Sequence, residues 1–79
     1  MTREERRAER RAIQARIGVR VWAMLAAKRE VKKQISARGE RVADYSHRDL
    51  VLRAEALVRD RPEFIRDAWE RAKAEFALA

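Results

Sequence analysis

Residues 13–35 read IQARIGVRVWAMLAAKREVKKQI, and this stretch decides the fold. Ile17, Met24 and Val31 recur at seven-residue intervals, and Val21 and Ile35 follow the first and third of them by four. These are the alternating positions of a helical seam, with Lys28 at the one remaining site. Trp22, Leu25 and Ala26 widen the apolar surface beside the seam, so the middle of this helix needs cover on several sides. Later helices supply that cover, or a second copy of the chain does. Lys28 can lay its stem along apolar surface and keep its ammonium in water, or it can fix the register of a helix pair.

Working outward, residues 2–12 are strong helix formers without one large apolar side chain. Thr2 and Glu5 fit a capping box, and Glu4 and Glu5 suit the positive end of a helix dipole. The segment therefore reads as a charged, solvated arm over residues 1–12, continuous with the helix behind it. On the other side, Gly39 is the natural stop, with Lys32, Lys33 and Arg38 near the last turns. Gly18 inside the helix costs about 1 kcal/mol relative to alanine and marks a close approach or a slight bend.

Residues 39–45 form a linker. Ser46 caps the next helix with Asp49 at its third position, and Tyr45 is placed to staple onto Leu50. The apolar face of that helix is Leu50, Ala54, Leu57 and Val58, with Val51 beside it. Asp60 and Glu63 repeat the cap pattern around Pro62, which fits a first helical turn. Ile65, Ala68, Trp69, Ala72 and Phe76 face the core from the last helix, with Phe64 alongside.

The expectation is an all-α chain forming one domain over 1–79. A long N-terminal helix over about 3–38 packs against a C-terminal helical hairpin over 47–59 and 61–77. The long helix is a rod of ~54 Å, and each later helix is only ~21–24 Å. A hairpin covers less than half of that rod, which makes a dimer through the first helix attractive. A two-fold dimer would repeat every basic cluster on both subunits.

Charge points to the partner. The net charge is +7, with +3 on residues 1–16, +5 on 17–42 and −1 on 43–79. Excess positive charge along half of a chain suits an anionic partner. Arginine outnumbers lysine sixteen to four and alanine is abundant, which coding bias in a GC-rich genome also produces. Cysteine is absent and His47 is the only histidine, so neither disulfides nor a thiolate metal site can form. No nucleophile–base pair, metal set or glycine-rich phosphate loop is present, so neither catalysis, a cofactor nor a small-molecule substrate is expected. The longest charge-free run, Val21 to Ala27, is seven residues, against the ~20 that span a bilayer. No signal peptide is visible, and a cytoplasmic location is the default expectation.

One local resemblance stands in the arm. Thr2-Arg3 and Glu5-Arg6-Arg7-Ala8-Glu9-Arg10 resemble the arginine-rich RNA-binding peptides of lambdoid phage antitermination N proteins, which dock on hairpin RNA as a bent helix. The likeness covers about a tenth of the chain. Gln14 stands where that family's stacking tryptophan would fall, so the family's function is not carried over.

Two functional expectations follow. The first is a non-catalytic nucleic-acid-binding protein, a regulatory or mobile-element accessory factor for DNA or RNA. Arg6, Arg7, Arg10, Arg11, Lys28, Arg29, Lys32 and Lys33 would contact phosphates, which gives affinity and salt dependence rather than sequence reading. The second is a protein-binding adaptor or inhibitor that uses the apolar centre of the first helix. In that case Ile17, Val21, Trp22, Met24, Leu25, Val31 and Ile35 form a partner or dimer interface. Helices 2 and 3 make a poor helix-turn-helix reader, because the last helix mixes acidic with basic side chains. Membrane-surface binding by the arm lacks bulky anchors.

Overall fold

A computed structural model describes residues 2–77. Helix α1 spans Arg3–Ala37, a 3-10 turn spans Val42–Asp44, α2 spans His47–Asp60 and α3 spans Glu63–Glu75. No strand occurs among the described residues. The three-helix, all-α class and the packing of the long first helix against both later ones agree with the sequence reading.

The helix ends follow from local chemistry. The Thr2 hydroxyl accepts the Glu5 amide at 3.1 Å, and the Ser46 hydroxyl accepts the Asp49 amide at 3.1 Å. Each satisfies one of the orphan donors of a first turn. At the far end of α1 the Gly39 amide donates to the Ser36 carbonyl at 3.0 Å and the Glu40 amide to the Ile35 carbonyl at 3.2 Å. That pair of bonds is a Schellman motif, and Gly39 adopts the left-handed φ of +77° that it requires. The corner is tied by side chains as well. The Tyr45 hydroxyl donates to the Glu40 carboxylate, Arg38 approaches the same carboxylate at 3.6 Å, and Arg53 lies 5.0 Å over the Tyr45 ring. The Tyr45 hydrogen bond first, and the Arg38 charge after it, hold the Glu40 carboxyl below its ordinary range.

The start of α3 differs from the expected cap. Asp60 is the last residue of α2, because the Arg61 amide still bonds the Leu57 carbonyl at 2.8 Å. Its carboxylate pairs with Arg59 at 3.5 Å instead of capping, and Pro62 occupies the N-cap position without a side-chain bond. Proline fits there because it has no amide hydrogen to satisfy.

The later helices do not fold back on each other as a hairpin. They lie in series along α1, and the molecule measures 55 × 20 × 18 Å. Both pack on α1, and they make almost no contact with one another. One core cluster joins Ala15, Val19 and Ala23 to Ala68 and Ala72 of α3, with Trp22, Ile65, Trp69 and Phe76 around it. The other joins Ala27, Val31 and Ile35 to Ala54 of α2, with Tyr45, Leu50 and Leu57 around it. Val58 and Phe64, either side of the Pro62 junction, belong to both. The arrangement follows from what α1 offers. An apolar ridge runs most of its length, and two short helices cover more of it end to end than side by side.

That ridge is Ala15, Val19, Ala23, Ala27, Val31 and Ile35, spaced by four throughout. Four residues carry a helix about 40° past one full turn, so the ridge winds around α1 and the α2–α3 pair winds with it. Alanine at three of its six positions, facing Ala54, Ala68 and Ala72, lets the helices approach closely.

The expected seam and the observed ridge coincide at Val31 and Ile35 and part company toward the N-terminus. Ile17 and Val21 are half or more exposed, whereas Ala15, Val19 and Ala23 are buried. Met24 is half-buried, and Lys28 is half-buried with it. Gly18 sits where two rings gather: a Cβ there would meet the Trp22 ring at 3.2 Å and Phe76 at 3.6 Å. It is therefore a close approach of side chains. Of the expected arm, residues 3–11 are helical and exposed, and Met1 lies outside the described residues.

Candidate binding face on the outer side of the long helix

The whole net charge resides on α1, which carries eleven basic and four acidic residues. The rest of the chain carries nine of each. Among the described residues all five ion pairs lie between Arg38 and Glu75, so none involves a cation of α1. No carboxylate occurs between Glu9 and Glu30.

The eight cations singled out in the sequence fall into two groups of one pattern. Residues 6–11 read RRAERR and residues 28–33 read KREVKK: two basic residues, two others, two basic residues. The second group repeats the first after 22 residues. Over 22 residues an α-helix makes about six turns and a further ~40°, so both groups point to one side of the rod, ~33 Å apart. Most of that side is turned from α2 and α3, although Lys28 borders Val51 of α2 and Arg29 borders Glu63 and Asp67 of α3. Seven of the eight side chains are exposed and Lys28 is half-buried.

Between the two basic groups lies an exposed apolar stripe, Ile13, Ile17, Val21 and Leu25, again spaced by four. It occupies the same outer side of α1. Of the expected interface residues, then, Ile17, Val21 and Leu25 are accessible. Val31 and Ile35 are sealed in the chain's own core, and Met24 leans into it. Trp22 is half-buried against the α3 cluster, its ring 6.2 Å from Phe76 and covered by the Arg71 guanidinium at 4.3 Å. Arg16 and Arg20 flank the stripe on one side. Val21, Met24 and Leu25 form the floor of a shallow depression against Val51 of α2, with Arg20 and Lys28 on its rim.

Sequence reading missed Ile13 as part of this surface, and missed that the two basic groups are one motif repeated. Both signals are present in the chain. The strict four-residue spacing of Ile13, Ile17, Val21 and Leu25 marks one stripe, and the RRAERR/KREVKK repeat marks one face.

No helix of the described chain is long and apolar enough to cross a membrane. In comparisons with protein families, curated proteins and solved structures, nothing matches this chain.

Proposed function

We propose that this is a non-catalytic nucleic-acid-binding protein whose α1 grips phosphate backbone at two points. The observation that carries the reading is the repeated basic group: eight cations on one side of one helix, with no carboxylate paired to any of them among the described residues. Cations so placed condense on a polyanion and release its counterions, which gives affinity without base reading. The ~33 Å between the groups is close to one turn of B-form DNA, about 34–36 Å. A helix lying along a duplex can therefore set each group on backbone one turn from the other. Single strands are disfavoured, because no exposed aromatic ring stands among the cations to stack a base. A regulatory or mobile-element accessory role, in the cytoplasm, fits a chain that offers contacts and no reaction chemistry.

Fluorescence anisotropy with labelled duplex DNA and hairpin RNA, over a series of salt concentrations, tests this. With all eight cations engaged, the logarithm of affinity falls against the logarithm of salt with a slope of about −7 for B-DNA. Changing Arg6, Arg7, Arg10 and Arg11 to alanine keeps a good helix former at each site and lowers the slope by about 3 to 4. A duplex of ~8 base pairs, ~27 Å at ~3.4 Å per pair, is too short to reach both groups and binds more weakly than one of ~16. Absence of binding at low salt, or a slope indifferent to the four substitutions, refutes the proposal.

A further inference from the structure

The stripe Ile13, Ile17, Val21 and Leu25 has no use in phosphate contact. We infer that it is a docking surface for an acidic amphipathic helix of a partner protein. Exposed apolar side chains that adjoin one another mark interaction sites, whereas singly scattered ones need no explanation. Here four side chains, each near half exposed or more, line up along ~18 Å of helix. Their four-residue spacing makes a ridge of the kind that a second helix accepts in its groove. The depression between α1 and α2 provides a floor of Val21, Met24, Leu25 and Val51 for one inserted apolar side chain.

Charge selects the occupant. Every ionisable residue between Glu9 and Glu30 is Arg or Lys. Arg20 and Lys28 stand at the rim of the depression, Arg16 lies beside the stripe, and the two basic groups close its ends. A partner helix with an apolar ridge and flanking Asp or Glu meets Arg16, Arg20 and Lys28 along one edge and a basic group at each end, while beyond Leu25 the other edge carries Arg29 and Arg71 together with Glu63 and Asp67 of α3. A second copy of this chain would set Arg16 and Arg20 against their own counterparts, with no acidic residue of α1 between Glu9 and Glu30 to compensate. An anionic bilayer surface satisfies the cations but not the shape. The stripe carries no aromatic anchor, since Trp22 is turned under Arg71 and Phe76, and a bilayer has no ridge to seat in a depression. The inference is independent of nucleic-acid binding, although the two occupants share one side of α1 and therefore compete.

The test uses the full chain and a labelled designed peptide of ~20 residues, ~30 Å as a helix, with leucines every fourth residue and glutamates on either side. Anisotropy should show saturable binding that a shuffled peptide of equal composition lacks. The double variant Ile17→Ser, Val21→Ser should weaken it by more than about tenfold while leaving the duplex-DNA salt slope unchanged. Arg20→Ala should weaken it severalfold and reduce its salt dependence. Three other results overturn the inference: no binding or equal binding of the shuffled peptide; retention on phosphatidylserine-rich vesicles without peptide binding; and a monomer–dimer equilibrium of the protein alone that Ile17→Ser abolishes.

Discussion

Ile35→Ala and Ile17→Ala delete the same atoms from the same helix, and the structure assigns them opposite consequences. Ile35 is 1% exposed and Ile17 is 59% exposed. Ile35 packs among Ala27, Val31 and Ala54, with Val42, Tyr45 and Leu50 closing over the cluster. Truncation there removes buried methyl groups and leaves a cavity, at a cost of about 2–5 kcal/mol. For a chain of 79 residues the total stability is of order 4–12 kcal/mol, so this is a large share of it. At ~4–8 °C per kcal/mol for a domain of this size, the midpoint falls by roughly 8–40 °C. Ile17→Ala loses little burial and gains a few tenths of a kcal/mol in helix propensity, so its midpoint stays within ~3 °C. Thermal and urea unfolding followed by far-UV circular dichroism measure both, at two protein concentrations about tenfold apart. Comparable losses in the two variants would refute the ridge described for α1. If the Ile17→Ala loss also depends on concentration, that side chain is buried between copies of the chain.

Three further outcomes are expected. Gly39→Ala, with nothing within 4 Å of the added Cβ but a φ of +77°, costs about 1–2 kcal/mol in urea unfolding through backbone strain alone, and Gly39→Asn costs less. Gly18→Ala yields less than the ~1 kcal/mol that helix propensity offers, because its Cβ lies 3.2 Å from the Trp22 ring, and the full gain returns in a Trp22→Ala background. The Glu40 carboxyl titrates below its ordinary range, and Tyr45→Phe moves it back toward that range in carboxyl NMR shifts. Its folded-state value is depressed, so the contribution of this corner is present above the usual carboxylate range and is lost as pH falls through the depressed value.

The helices, their caps at Thr2 and Ser46 and the Gly39 stop were legible because each depends on neighbours in sequence. The core faces of α2 and α3 were legible too, since each is short and shows one apolar face. The face of α1 was not. Large apolar residues define the seam through Ile17 and Val21, and alanine carries little weight in such a pattern. The helices approached each other over alanine instead, and the larger side chains beside it were left outside. Helix order in space was equally hidden. A short link around Pro62 suggests a reversal, but its geometry lets α3 continue in the direction of α2. The eight cations were legible as a basic half-chain; that they share one side depends on an unbroken helix from Arg3 to Ala37.

The serial placement of α2 and α3 bears on how the chain assembles. The Gly39 corner brings Tyr45 and Leu50 onto Ile35 by closing a short loop, while Ala72 reaches Ala15 only across most of the chain. Loop closure costs more as the span grows, unless nearer contacts have already shortened it. The molecule should therefore zip from the corner outward: α2 first, then Val58 and Phe64 at the junction, then α3. Opening runs in reverse. Because α3 leans on α1 and hardly on α2, it can lift away while the corner stays closed, and its amides should exchange with solvent before those of α2.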